Sequence, residues 1–437
     1  MYPVASPTIV DLFAGAGGIS EGFRQAGFIP IAATDIDPDA CATFRRNFPS
    51  TAVIHGDVRS KAITAALLNA SAGANVVVGG PPCQAFSQVR NHVRLIEDPR
   101  NSLYKEFVQI VGKILPSVFL MENVTGIDQM GYREQIVSDL ELDGEYAVTP
   151  QVIDAADVGV PQTRKRLIFL GIRKSLGISP PVVQQSEATR LLGLTRVMRK
   201  GHYRYDLNAS DDLFAARLLQ ALADPEDLTA ITAAQALSDL RPIRSGNRDD
   251  MLAYACLLPP QSAYQRAMRE GNGAELHNVQ VPRLREDTAT RLRSIPSGVN
   301  HRALPEELTQ RNLSGQKWGP ENGSGLLSRR HFYAYRRLHP DIWSWTLNTK
   351  ADSVYHYQDV RSLSVREFAR LHSFPDRFVF TTDPRPGPLL GRHDGGPAHS
   401  RYRQVGNAVP PLLARACASS IREAVFSGAA VVERRAA

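Results

Sequence analysis

The most reactive combination in the chain is one cysteine on a rigid turn, together with an acid and two arginines placed at the ends of other strand-like runs. Cys83 stands in Gly79-Gly-Pro-Pro-Cys83-Gln-Ala-Phe-Ser87, directly after the apolar run Asn75-Val-Val-Val. Two glycines and two prolines fix that backbone and leave the thiol accessible, at the carboxyl end of a strand, where open α/β sheets keep their ligand chemistry. Met121-Glu122-Asn123-Val124 puts a carboxylate at the end of a second strand, and Gln162-Thr-Arg164-Lys-Arg166 puts guanidinium groups at the start of a third. A thiol, a carboxylic acid and an arginine converging on one sheet edge make a site for covalent catalysis. Only the thiolate is competent and free cysteine has a pKa of about 8.5, so Arg164 and Arg166 would help by supplying positive charge. Taken singly, each has a plainer reading: Cys83 as a buried inert thiol, Glu122 as a solvated or capping acid, the arginines as surface ion-pair groups.

A second constellation suits a nucleotide-like ligand. Asp11-Leu-Phe-Ala-Gly15-Ala-Gly17-Gly18 follows a predicted strand and opens a predicted helix, where exposed backbone N–H groups meet such ligands. Twenty residues beyond Gly15, Asp35 ends the next strand, in position to grip ribose hydroxyls. Ser20 replaces the third glycine of G-x-G-x-x-G, which favours a smaller adenosine compound over a dinucleotide. The structural alternative is a Gly-rich turn with Asp35 and Asp57 as strand-end caps.

The elements that must position these residues alternate. TIVDLF, IPIAATDID, TAVIHGDV, NVVVGG and ILPSVFLMENV read as strands separated by helical stretches, which implies a mostly parallel sheet. From about Ser175 to Tyr355 that rhythm breaks into an irregular stretch rich in Arg, Gly, Pro and Asn, the expected second domain. Helical spacing resumes at SVREFARLHSFPD and ends in GNAVPPLLARACASSIREAVF. With 437 residues, 43% hydrophobic and 22% charged, the chain can bury a large core in one larger and one smaller domain. Cys41, Cys83, Cys256 and Cys417 are far apart without a C-x-x-C pair, which argues against a disulfide framework or a structural zinc site. No apolar run approaches the ~20 residues of a membrane span, and the first residues lack the order of a secretory signal, so a cytoplasmic, nucleoid-associated location is expected. Net charge is +7, and the stretch from Arg241 to Lys350, with 17 basic and 10 acidic residues, accounts for all of it. A polyanionic partner is the natural inference, an ordinary solvated basic face the alternative.

In order along the chain, these segments resemble the motifs of the DNA (cytosine-5) methyltransferases. DLFAGAGG is similar to the family's first motif, TDIDPDA to the second, GDV at Gly56–Val58 to the third and GGPPCQAFS to the catalytic fourth. Glu122-Asn123-Val124 resembles the sixth, QTRKR the eighth, RSLSVREFARLHSFPD the ninth and Gly406-Asn407-Ala-Val409-Pro-Pro the tenth. The resemblance implies an α/β fold: a Rossmann-like S-adenosylmethionine-dependent methyltransferase domain, its mostly parallel sheet carrying helices on both faces, plus a smaller irregular target-recognition domain. It divides the chain into an N-terminal catalytic part (1–175), a target-recognition domain (176–357) and a C-terminal catalytic part (358–437), the last helix packing beside the first motif.

By the same resemblance, Cys83 adds to C6 of a flipped cytosine, Glu122 hydrogen-bonds or protonates N3, and Arg164 holds the O2 side, with Arg166 a further source of positive charge. For S-adenosylmethionine, which leaves as S-adenosylhomocysteine, it assigns Phe13 to the adenine or methionine face and Gly15 and Gly17 to close backbone approach. Asp35 takes the ribose, Ile36 the adenine stack, and Asp57 with Val58 the adenine edge, while Pro82, Asn407 and Val409 close the site. The plain alternative for Phe13 and Ile36 is a core role. No metal is implied. A cytosine stacked in duplex DNA hides C5 and C6, so the chemistry demands extrusion of the base. Ser87 and Arg90, in the segment Gln84 to Arg100, suit phosphate contact and closure. Arg283/Arg285, Arg329/Arg330 and Arg336/Arg337 are candidates for contacts in the basic domain. Double-stranded DNA is the expected partner of a monomer, in a solitary system or beside a separately acting restriction endonuclease. Three other readings compete: a DNA-binding regulator that kept the fold and lost the chemistry, an RNA cytosine methyltransferase, and a nicotinamide dehydrogenase. Intact Cys83, Glu122 and Arg164 count against the first, the missing C-F-T-type signature against the second, and Ser20 against the third.

Overall fold

The structure is a computed structural model and describes residues 6–82, 103–129, 131–186, 231–309, 335–384 and 396–427. Its first half alternates strands and helices: β1 (Thr8–Leu12), α1 (Gly18–Gln25), β2 (Ile29–Asp35), α2 (Pro38–Asn47), β3 (Ala52–His55), α3 (Lys61–Ala70), β4 (Val76–Gly79), α4 (Leu103–Ile114), β5 (Val118–Val124), α5 (Arg133–Leu140), β6 (Tyr146–Asp154) and β7 (Lys165–Arg173). The seven strands form one sheet in the order β3-β2-β1-β4-β5-β7-β6. Pairing is parallel from β3 through β5 and antiparallel where β7 joins β5 and β6.

Period-two alternation divides the central strands between two apolar layers. Ile9, Val76, Val78, Val118 and Leu120 face one core, into which Phe23 of α1 also packs. Val10, Leu12, Val77, Phe119 and Met121 face the other, with Phe107 and Ile110 of α4 and Leu140 of α5. Helices therefore cover both faces, which is why β4 reads as an unbroken apolar run and is buried throughout. Strand order reverses between β1 and β4, so the crevice at their carboxyl ends is the place for a ligand.

Beyond the sheet lie α6 (Ala233–Leu237), a two-stranded ribbon of β8 (Met251–Ala253) and β9 (Glu275–His277), α7 (Ala263–Arg269), α8 (Glu286–Ser294), α9 (Val365–Leu371), α10 (Gly396–Asn407) and α11 (Pro411–Ile421). α11 packs on α1, as the joining of the two chain ends requires. A Cβ on Gly22 would lie 2.3 Å from the Pro411 carbonyl oxygen, and one on Gly18 would lie 2.1 Å from that of Val409.

Contacts cross the domain limits expected at residues 175 and 357. Val183 still belongs to the core of the sheet, and Gln151 of β6 both donates to its carbonyl and accepts from its N–H. On the other side of the middle stretch, Ser344 bridges to Gln162 well before residue 358. The described middle residues and the C-terminal part share one apolar cluster, in which Leu237, Tyr264 and Leu276 pack with Phe368, Phe374 and Phe44. That junction also holds three fully buried arginines from the ninth-motif segment. Arg361 grips Glu367 at 2.7 and 2.8 Å, Arg370 grips Asp376 at 2.6 Å and Asp239 at 3.1 Å, and Arg366 donates to the carbonyls of His277, Pro375 and Phe378. Ser364 and Glu367 form a capping box that starts α9. Among the described residues no helix is long and apolar enough to cross a membrane.

Candidate active site

A cleft of about 600 Å³ opens at the carboxyl ends of β1, β2, β4 and β5. Phe13, Gly15, Asp35, Ile36, Asp57, Val58, Pro82, Asn407 and Val409 all line it, and so do Glu122, Arg164 and Arg166. Cys83, Ser87, Arg90, Arg329 and Arg330 lie outside the described residues.

At the β1 end, Phe13 holds a left-handed backbone (φ 57°) that an aromatic residue seldom adopts. Such conformations persist where the surroundings over-determine them, typically at ligand sites. The Asp35 carboxylate accepts from the N–H groups of Gly15 and Asp37, both at 2.8 Å, which stitches the Gly-rich turn to the end of β2. Burial pushes the pKa of Asp35 up, against the pull of those two bonds. Next to it Ile36 is 50% exposed, an apolar surface at the cleft's edge and the opposite of a core position. Asp57 is held below the usual carboxylate range by its hydrogen bonds and ion pair with Arg59. Ser20, the departure from the glycine pattern, has a specific partner: its hydroxyl donates to the fully buried Asp11 at 2.6 Å. Burial pushes the Asp11 carboxyl up to about 7.

Gly17 does not line the cleft. It is the buried left-handed N-cap of α1 (φ 98°), and a Cβ there would meet the Phe48 ring at 2.8 Å. Gly18, which does line the cleft, packs against the Val409 carbonyl. Sequence reasoning also passed over Arg403 and Gln404, which line the cleft from α10, where Arg403 pairs with Asp37 at 2.7 Å. The signal was available: Arg403 stands four residues before Asn407, on the same face of a helix.

At the β5 end, the Glu122 carboxylate is ion-paired through Oε1 to Nε of Arg166 at 2.5 Å, both side chains being 12% exposed. Its other oxygen lies 3.0 Å from where a Cβ of Gly80 would stand, and the Asn123 side chain donates to the Pro81 carbonyl at 3.4 Å. The Gly80-Pro81-Pro82 stretch that leads into Cys83 is thus in contact with the acid. Arg166 reaches the same spot because β7 is antiparallel to β5: Val124 opposes Arg166, so the start of β7 lies at the carboxyl edge of the parallel strands.

Arg164, expected at the O2 side of the base, lines the cleft and also bonds to the protein backbone. It is buried, with Nη1 donating to the Leu347 carbonyl at 3.2 Å and Nη2 to that of Gly406 at 2.9 Å. The guanidinium partnered with the acid is that of Arg166. Among the candidates for DNA contact, Arg283 and Arg285 are exposed, as a phosphate-binding role needs. Arg336 is half-buried and stacks over Trp345 at 5.6 Å. Arg337 departs from expectation: it donates to the carbonyls of Ile295 and Gln358, both at 2.8 Å, and works as an internal strut.

A doubly covered α/β sheet, with an acid–guanidinium pair and a Gly-rich turn at one edge, defines the class as a methyltransferase-like Rossmann fold. The family of C-5 cytosine-specific DNA methylases matches residues 7–423, and the chain belongs to that family; it is a DNA (cytosine-5) methyltransferase. It is 32% identical over 463 residues to the Type II methyltransferase M.AgeI of Thalassovita gelatinovora, covering 95% of this chain and 99% of that protein. It is 30% identical over 421 residues to M1.HphI of Haemophilus parahaemolyticus, also a Type II methyltransferase, covering 95% and 87% respectively. In fold it is similar to the crystal structure of a prophage-encoded DNA modification methyltransferase of Escherichia coli, with a TM-score of 0.66 at 22% identity over 97% of this chain and 100% of that one.

Proposed function

We propose that the protein methylates C5 of a cytosine within a specific sequence of duplex DNA, after flipping that base into the cleft, with Cys83 as nucleophile and S-adenosylmethionine as donor. The observation that carries this reading is the contact of Gly80 and Pro81 with Glu122 and Asn123, and of Glu122 with Arg166, beside the Gly-rich turn.

The lining fits the donor. Ile36 offers an exposed apolar face for adenine, and Asp35, already fixed by Gly15 and Asp37, presents its remaining lone pairs to ribose hydroxyls. Bound there, S-adenosylmethionine supplies an electrophilic methyl group on a sulfonium. The Cys83 sulfur forms a bond to C6 of the cytosine while Glu122, steadied by Arg166, protonates or hydrogen-bonds N3. Electron density moves to C5, which takes the methyl group. Loss of the C5 proton and expulsion of the Cys83 sulfur then restore the ring. Arg166, rather than Arg164, is the guanidinium in place to hold O2.

Exposed Arg283 and Arg285 add sequence-independent phosphate affinity. The names of the relatives favour a place in a Type II restriction-modification system, with an endonuclease acting separately on the same sequence. The test is tritiated methyl transfer from S-adenosylmethionine to duplex DNA, with bisulfite sequencing of plasmid from expressing cells. The reading expects one protected cytosine within one recurring sequence. Transfer to RNA and not to DNA, or no protected cytosine, would overturn it.

A further inference from the structure

Two arginines open β7, and pairing with Glu122 accounts for one. The other belongs to a buried network that ends on the wall of the cleft. Gln162, fully buried, accepts from the Leu347 N–H at Oε1 (2.9 Å), which fixes its amide so that Nε2 faces Nδ1 of His372 at 2.9 Å. Nδ1 must therefore accept, and the ring proton stands on Nε2, from which it donates to the Ala408 carbonyl at 2.9 Å. A second proton on this ring would set N–H against N–H. Burial, together with the charges of Arg164 and Arg166, holds the pKa of His372 well below its usual value and keeps the ring neutral. In parallel, Arg164 ties Leu347 to Gly406. Two separate chains of hydrogen bonds thus leave the segment that precedes Arg166 and end two residues apart, on Gly406 and Ala408. Gly406 also packs closely on Asn348, since a Cβ there would lie 2.1 Å from the Asn348 carbonyl oxygen. Asn407 and Val409, which flank Ala408, line the cleft.

We infer that His372 is a positioning residue for the methyl-donor pocket: its Nε2–H holds the Ala408 carbonyl, and so the Asn407–Val409 wall, in register with the strand that carries Arg166. The inference rests on the cleft being the S-adenosylmethionine site. It separates the two possible functions of the ring, because asparagine can replace Nδ1 towards Gln162 but falls short of Ala408, whereas the amide nitrogen of glutamine reaches Ala408.

The experiment compares full-length wild type, His372→Asn and His372→Gln by calorimetric titration with S-adenosylhomocysteine, by kcat and KM for donor and for DNA, and by unliganded melting temperature. One buried hydrogen bond left unmade predicts roughly tenfold weaker binding in the asparagine variant, with a matching rise in donor KM. DNA KM, and kcat at saturating donor, should change by less than about twofold. Glutamine should restore donor affinity to within about threefold of wild type. The inference is overturned if the asparagine variant binds donor like wild type, or if both variants lose donor and DNA affinity together in proportion to melting temperature. Wild type that binds no S-adenosylhomocysteine would instead overturn the reading of the cleft.

Discussion

Substitution of Gly18 by alanine probes the seam where the two chain ends meet. Gly18 opens α1, and its missing Cβ is what lets the Val409 carbonyl come so close: a methyl group would lie 2.1 Å from that oxygen and 3.3 Å from Ala408 and Phe374. Ordinary contact needs one side to retreat by about 1 Å. The obstructing atom is backbone at the buried start of α11, so no flexible side chain can swing aside. Alanine's better helix propensity returns at most about 1 kcal/mol, and overpacking costs about 1–3 kcal/mol, so strain should win. Since Val409 also lines the cleft, Gly18→Ala should both lower the unfolding free energy by roughly 1–2 kcal/mol and weaken S-adenosylhomocysteine binding several-fold. Urea unfolding and calorimetric titration read the two effects. Gly273→Ala is the control, because its Cβ meets nothing within 4 Å and should be neutral or slightly stabilising. Should Gly18→Ala prove as benign as the control in both assays, the packing of α11 against the Gly-rich turn has been misread.

Other perturbations have equally definite outcomes. Arg370→Met leaves Asp239 and Asp376 buried without their shared guanidinium and should cost about 3–5 kcal/mol by urea unfolding, whereas exposed Arg248→Met should cost under about 0.5 kcal/mol. Asp11 has a folded pKa raised to about 7, above its unfolded value, so its stabilising effect is full in acid and is lost as pH rises towards and through 7. Asp11→Asn should therefore remove roughly 1 kcal/mol of the stability lost between pH 6 and 8, measured as the change in urea unfolding free energy. Ile36→Asp places a charge on the apolar rim and should weaken donor binding at least tenfold by titration while leaving the melting temperature unchanged.

Much of the site was legible because its residues sit at strand ends, where spacing translates directly into position. Asp35 follows Gly15 by one helix and one strand, and Pro82 follows β4, so both had to reach the same edge. Arg166 meets Glu122 for a reason the spacing does not contain. In a parallel strand its position at the start would have put it at the opposite edge from Glu122, and only the antiparallel run of β7 brings the two together. That Arg166 and not Arg164 pairs with Glu122 has the same origin, because which of two alternate residues faces the acid depends on register, not on composition. Arg337 and the three buried arginines of the ninth-motif segment look in sequence like surface cations. Their partners are carbonyls, the nearby acids Glu367 and Asp376, and Asp239, which lies more than a hundred residues from Arg370 and which no local pattern announces. The attachment of Val183 to β6 was hidden similarly, since the segment reaching it carries no strand periodicity and is held by Gln151.

The central claim is that Cys83 attacks a flipped cytosine beside Glu122, and trapping tests it most directly. Duplex DNA bearing 5-fluorocytosine at the mapped target, incubated with enzyme and S-adenosylmethionine, cannot lose its C5 substituent as a proton. Wild type should form a denaturant-resistant complex with a mass equal to enzyme plus methylated strand, Cys83→Ala should form none, and Glu122→Gln should form it at least a hundredfold more slowly. A stable complex with Cys83→Ala, or attachment of the strand at another residue by peptide mapping, would contradict the account.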